Sequence, residues 1–186
     1  MLRYAVVVFV TFFSLNAFPS DSTRSDLQKL KYAISLAGKY SYPGYSIALA
    51  FEIERGAHVF ILGPVFMISD FYVPGEMTTG VQCGWQWNLH DYSTDRSLSS
   101  FCTLDYQLVP FKVHIRFLNK HQINYLHDIN LGYGIKYHLT SDIVILNSIS
   151  SGIYVEAFYN SYTKKHEKIT GVDLLIRLAV SYSFND

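Results

Sequence analysis

Charge is what this chain has least of. Only 16% of its 186 residues are Asp, Glu, Lys or Arg, against about 25% in ordinary soluble domains. That is too little to solvate a conventional surface, yet the residues are too regularly patterned for a disordered chain. The 15 basic residues balance the 15 acidic ones and form no Lys/Arg run. Nucleic-acid binding driven by counterion release is thereby excluded as a first reading, and so is a polybasic membrane anchor. Cysteine is scarce as well: Cys83 and Cys102 are the two, and neither lies near the N-terminus, so a lipoprotein anchor has no support. No Ser-containing nucleophile motif occurs, and no cofactor fingerprint suggests itself.

What is present begins with an export signal. Arg3 supplies the positive start, Tyr4 to Leu15 an apolar core, and Asn16-Ala17 a junction before the polar stretch from Ser20. The apolar core is shorter than the roughly 20 residues of a spanning helix, as in a secretory signal peptide. Cutting after Ala17 puts Leu15 where a small residue is preferred, so the signal is bounded approximately, at residues 1–20. The rest, residues 21–186, reads as one domain.

Beyond the signal the hydrophobic period is two, the period of a strand. Tyr45, Ile47, Leu49, Phe51 and Ile53 share one face, with Ser46, Ala48, Ala50, Glu52 and Glu54 opposite. From 77 to 90, Val81, Cys83, Trp85, Trp87 and Leu89 alternate with Gly80, Gln82, Gly84, Gln86 and Asn88. Between 123 and 139 Ile, Tyr and Leu oppose Asn124, Asp128, Asn130, Gly132, Gly134, Lys136 and His138. A soluble barrel hides its apolar face, whereas a membrane barrel turns it outward. The polar faces here are rich in Gly, Ser, Asn and Gln and poor in long charges, which suits a narrow interior better than a wetted surface. The apolar faces are bulky and cover the ~9–11 residues of a tilted spanning strand. They are read as facing lipid, and only a closed barrel satisfies the backbone there.

Seven segments are strands: 45–55, 57–70, 77–90, 98–117, 122–139, 142–160 and 168–185. Even strand number asks for an eighth from 28–40, where Leu30, Tyr32, Ile34, Leu36 and Tyr40 alternate with Lys29, Lys31, Ala33, Ser35 and Lys39. The same stretch also fits an amphipathic helix capped at Ser25 and stopped at Gly38. Short connections at Arg55-Gly56, 118–121 and Thr140-Ser141, with somewhat longer ones elsewhere, fit a meander. With both termini on the periplasmic side, the loops near 41–44, 71–76, 118–121 and 161–167 face outward, and none is long. The 98–117 segment changes phase after Leu108, so a bulge at Val109-Pro110 is expected.

These residues resemble the small, eight-stranded outer-membrane β-barrel family of Gram-negative bacteria. The likeness rests on the signal peptide, Leu62 to Pro64, Asp105-Tyr106-Gln107 through Pro110, Asn130 to Tyr137, and a last strand ending Tyr182-Ser183-Phe184. It implies an all-β, antiparallel up-and-down transmembrane barrel of about eight strands in the outer membrane, surrounded by its lipid. It also implies insertion by the barrel-assembly machinery, which would recognise the last strand, here Val172, Leu174, Ile176, Leu178, Val180, Tyr182 and Phe184. Asn185 and Asp186 follow the terminal aromatic, a departure from the family pattern. Members include structural barrels, small channels, receptors and a few lipid-modifying enzymes.

The chemistry-bearing residues fall on the polar faces: Glu52, Glu54, Asp105, Lys112, His114, Arg116, Asp128, Lys136, Glu156, Asp173 and Arg177. In a lumen only wide enough for side chains, these form a paired internal network, with a narrow ion path or small-ligand pocket among the same residues as the competing reading. His58, His90, His114, His121, His127, His138 and His166 lack metal-ligand spacing, so no metal site is expected. His90-Asp91 and His166-Glu167 are adjacent pairs, but strand neighbours point to opposite faces and make poor catalytic dyads. Cys83 and Cys102 fall on adjacent strands at offset positions and are expected free and lipid-facing. Tyr40, Tyr45, Tyr72, Trp87, Tyr137 and Tyr159 suit interfacial girdles. The favoured reading is a non-catalytic barrel with a structural or minor transport role, no cofactor and no nucleic acid. A soluble lipocalin-like barrel binding a hydrophobic ligand and a lipid-modifying rim enzyme are the alternatives.

Overall fold

The computed structural model describes residues 30–41, 44–70, 78–89, 97–115, 120–160 and 163–184, with backbone alone at 69–70, 111–115 and 120–122. The expected signal peptide, His90, Asp91, Tyr72 and Arg116 lie outside the described residues. Eight antiparallel strands follow in order: β1 (Lys31–Ser41), β2 (Gly44–Arg55), β3 (His58–Asp70), β4 (Thr78–Asn88), β5 (Leu98–Ile115), β6 (Lys120–His138), β7 (Ile143–Asn160) and β8 (Lys165–Phe184). Each pairs with its sequence neighbour, and β8 returns to β1 from Tyr32↔Phe184 to Tyr40↔Ile176, closing the barrel. The segment open to a helical reading is therefore strand β1. Its fate follows from closure: without β1 the edges of β2 and β8 would be orphaned.

The alternation sets two surfaces. On β8, Val172, Leu174, Ile176, Leu178, Val180, Tyr182 and Phe184 are exposed, while Asp173, Leu175, Arg177, Ala179 and Ser181 between them are buried. The same holds on β1, where Ile34 and Leu36 face out and Ser35, Ala37 and Lys39 face in. Leu131 is 67% exposed and Asn130, next to it, 1%. This is the partition of a transmembrane barrel, with its apolar face outward.

Two details differ from expectation. The β5–β6 register runs unbroken from Leu98↔Tyr137 through Pro110↔Tyr125 to Ile115↔Lys120, so no bulge sits at Val109-Pro110. Proline is tolerated there because β4 pairing ends at Val81↔Leu108, leaving Pro110 among the described residues a paired neighbour on β6 only. The irregularity falls instead between β2 and β3, where Tyr45↔Ser69 gives way to Ser46↔Met67 and Ile68 is the extra residue. Cys83 pairs with Tyr106 and Cys102 with Trp87, so the two cysteines are offset as expected, and both are free.

Turns are tight at one end. Arg55 pairs with His58 across Gly56-Ala57, where Gly56 has a φ of 61°, the left-handed region that favours glycine. Thr140 Oγ1 accepts from the amides of Asp142 and Ile143 at 3.2 and 3.0 Å, closing the β6–β7 connection. This end, which also holds the start of β1 and the end of β8, is called the terminal mouth, and the opposite end the distal mouth. Strand length is uneven: β1 to β4 have 11 to 13 residues, β5 to β8 have 18 to 20. The second half of the barrel thus overhangs the first at the distal mouth.

Glycine makes close approach possible inside. A Cβ at Gly152 would fall on the carbonyl of Ile129 and the Cα of Asn130, whereas one at outward-facing Gly38 would meet nothing within 4 Å. Gly152→Ala should lower folding stability by about 1–3 kcal/mol and Gly38→Ala by no more than about 0.5 kcal/mol. Urea unfolding of the refolded chain followed by tryptophan fluorescence checks both.

Candidate functional site

The lumen concentrates the chemistry. Most of the inward-facing residues flagged from sequence are buried: Glu52, Asp105, Asp128, Lys136, Glu156, Asp173 and Arg177 are each at most 8% exposed, and Glu54 is half-buried at the terminal mouth. Lys112 and His114 are placed by backbone alone, with Lys112 opposite Ile123 and His114 opposite His121. Their side chains, and Arg116 entirely, lie outside the description.

Arg177 on β8 stands at the centre. Its Nη2 is 3.8 Å from Glu52 Oε1 on β2, and its Nη1 is 3.7 Å from Asp105 Oδ1 on β5, so one guanidinium ties three strands across the lumen. Thr103 donates to Asp105 at 3.0 Å and Ser181 to Glu52 at 3.0 Å. A second group surrounds Asp128, which accepts from Gln107 and Asn130, both at 2.7 Å; Asn130 also reaches Asp173 at 3.3 Å. Asn124 donates to Glu156 at 2.8 Å. In a low-dielectric interior such charge-assisted bonds are strong, and an unmatched charge is costly.

Lys39, placed on the polar face by its alternation but not included in the expected network, is 4% exposed. Gln82 and Gln86 are buried, as their polar face implies, and so is Gln107; among the described residues Gln86 has neither amide atom hydrogen-bonded. One feature was not anticipated from sequence: the lumen is not polar throughout. Along β5 the inward positions run Phe101, Thr103, Asp105, Gln107, Val109; along β7 they run Leu146, Ser148, Ser150, Gly152, Tyr154. Phe101 and Leu146 join Ala37, Ala48, Val65 and Ala179 in one apolar cluster, while Val109 and Tyr154 join Met67 and Leu126 in another. Two apolar clusters thus share the lumen with the charged groups. β3, apolar on both faces, contributes Val59, Ile61, Val65 and Met67 to the interior, opposite small residues: Val65 pairs with Ala48 and Gly80, Ile61 with Gly84. Large against small is how a narrow barrel fills its lumen.

Four histidines have described side chains, and each meets a neighbour. His58 accepts from Trp85 Nε1 at 3.2 Å, His138 bonds Ser99 at 3.1 Å, His127 bonds the Tyr106 hydroxyl at 2.9 Å, and His166 meets the Tyr159 ring edge-on. Glu167, beside His166, bonds Asn160 and Thr163, which hold its exposed carboxyl below the usual range. Among the described residues no group of three His, Cys, Asp or Glu side chains could hold a metal ion. Outside, Tyr40 and Tyr45 pack at 4.9 Å near the distal ends of β1 and β2, and exposed Trp87 and Tyr137 lie near the terminal mouth.

Similarity to known proteins is structural. The N-terminal β-barrel domain of Pseudomonas aeruginosa OprF superposes with a TM-score of 0.56 at 12% identity, covering 83% of this chain and 97% of that one. A major outer membrane protein of Thermus thermophilus gives 0.51 at 12%, covering 84% and 100%. Neisserial surface protein A gives 0.50 at 9%, covering 83% and 96%. No protein-family model and no curated protein matches the sequence. The shared property is the fold, that of small eight-stranded outer-membrane barrels.

Because Arg177 neutralises two buried carboxylates, its loss leaves both uncompensated. Arg177→Met should destabilise the barrel by about 3–5 kcal/mol, measured by urea titration in detergent. Adding Glu52→Gln and Asp105→Asn to that variant should restore part of the loss.

Proposed function

We propose that this chain is an exported, integral outer-membrane β-barrel protein of Gram-negative bacteria with a structural role and no catalysis. The observation that carries the reading is the inverted partition: bulky apolar side chains on the outside, charge on the inside, in a fully closed ladder. Such a surface is stable in hydrocarbon and aggregates in water. Outer-membrane location is further supported by the export signal read in the sequence and by the fold shared with outer-membrane proteins.

A structural role is favoured over transport by the side chains that fill the bore. An ion entering from the terminal mouth meets Glu52 and then the Arg177 group, and beyond these the bore is filled by buried side chains, the cluster of Met67, Val109, Leu126 and Tyr154 among them, where an unpartnered ion is expensive. The lumen is accordingly closed at rest, and Glu52, Asp105, Asp128, Asp173, Lys39 and Arg177 act as internal struts. In the lipocalin-like alternative the apolar faces would line a cavity; in this arrangement they are the exterior. The outward face of β8, from Val172 to Phe184, is the surface proposed for recognition by the barrel-assembly machinery.

Two measurements test this. The expressed chain should fractionate with the outer membrane and migrate differently on gels with and without boiling, as folded barrels do. Recovery as a detergent-independent soluble protein would overturn the reading. In planar bilayers the refolded chain should show no steady channel conductance, and a reproducible open level would replace the structural role with transport.

A further inference from the structure

On the outward face of β6, β7 and β8 the side chains change character rung by rung toward the distal mouth. Ile129, Ile153 and Val172 pair across the three strands, and all are exposed. The next outward rung is His127, Val155 and Thr170, and the one beyond it Tyr125, Ala157 and Lys168. Apolar surface thus gives way to an imidazole, a hydroxyl and an ammonium within four residues of strand, roughly 13 Å. The change comes where the ring of eight becomes incomplete: Leu108, which pairs with His127, is among the described residues the last on β5 that also pairs with β4. At the distal ends of β1 and β2 the outward side chains are Tyr40 and Tyr45, without charge.

This basic face has no acid of its own. Lys168 is exposed and interacts electrostatically with His127, and neither forms an ion pair among the described residues. The neighbouring carboxylates are turned elsewhere: Asp128 and Glu156 are buried in the lumen, and Glu167, on the lumen parity of β8, bonds Asn160 and Thr163. His127 Nδ1 meets the Tyr106 hydroxyl at 2.9 Å; with that hydroxyl donating, the ring proton sits on Nε2, where it can be given to an anion. Between Tyr125 and Lys168 stands only the short side chain of Ala157, which leaves room over β7. β6 and β8 are two strand spacings apart, roughly 10 Å, so an anionic group over Ala157 is within reach of both His127 and Lys168. A free ion would use the cations and leave the apolar rung bare, whereas an amphiphile uses both.

We infer that the outward face of β6, β7 and β8 holds an anionic, phosphate-bearing lipid of the leaflet at the distal mouth, its acyl chains on Ile129, Ile153 and Val172 and its phosphate over Ala157 between His127 and Lys168. This rests on the membrane-barrel reading above and adds to it a preferred lipid and the place where that lipid sits.

The probe is didecanoyl phosphatidate, titrated into the full-length chain refolded in a non-ionic detergent and followed by native mass spectrometry. Didecanoyl phosphatidylcholine serves as the zwitterionic lipid of equal chain length, and glycerol phosphate as the headgroup without chains. Retention of phosphatidate with a Kd on the order of 10 µM is expected, about tenfold tighter than the choline lipid, with no retention of glycerol phosphate. Lys168→Gln and His127→Gln should each lose about tenfold and keep the heat-dependent gel shift, since both positions lie on the outward surface. Lys31→Gln, an exposed lysine at the terminal end of β1, should leave the affinity unchanged. Equal affinity for the two lipids, retention of glycerol phosphate as firm as that of phosphatidate, a loss in Lys31→Gln equal to that in Lys168→Gln, or unchanged affinity in both site variants would each overturn the inference, while a persisting gel shift leaves the membrane reading standing. Absence of the gel shift in the unaltered chain would overturn both.

Discussion

In hydrocarbon a backbone amide has no water to fall back on, and every orphaned group costs several kcal/mol. The β1–β8 seam answers this constraint: nine register pairs from Tyr32↔Phe184 to Tyr40↔Ile176 join the two ends of the chain into one ladder. Once the ladder is closed, the period of two assigns every residue to lipid or lumen with no freedom left. A slip of one residue in β8 would turn Arg177 and Asp173 into the bilayer and Ile176 and Leu174 into the core. Burial of charge and exposure of leucine are both consequences of closure.

Closure also fixes the bore. A ring of eight strands leaves space for side chains and little else, so the interior must be solved as a packing problem with charges in it. The solution places bulk beside absence of bulk, Val65 between Ala48 and Gly80, and places ions where they can meet. The Arg177 group and the Asp128 group share the bore with the two apolar clusters. Low dielectric makes each pairing stronger and each mismatch worse. The matching stops short at several points in the described lumen, both amide atoms of Gln86 among them, and at the terminal mouth a cavity remains.

Much of this was legible in the residues. The outward face was, because bulky apolar side chains at every second position leave no other period available. The buried acids were, because they share parity with glycines and serines. For Lys39 the face was legible but not the depth, since Lys31 shares its parity and only distance from the strand end separates the buried lysine from the exposed one. The apolar clusters were hidden for a related reason: on β3 both parities are hydrophobic, so sequence cannot say that Val65 faces in and Phe66 out. The bulge was assigned to Val109-Pro110 because proline is read as a break. The structure needed none there, and the true irregularity at Ile68 follows a stretch with no alternation to interrupt.

The overhang of β5 to β8 carries a consequence for how the molecule sits. Past Tyr40↔Ile176 and Val81↔Leu108, β8 and β5 keep a partner on one side only among the described residues. Polar edges of that kind are tolerable in water and not in acyl chains. The immersion line on the distal side is therefore drawn by the backbone itself, at the height where the short strands end. Above it the described residues of β5 to β8 stand as half a cylinder, a wall presented to neighbouring molecules from one direction in the plane of the membrane.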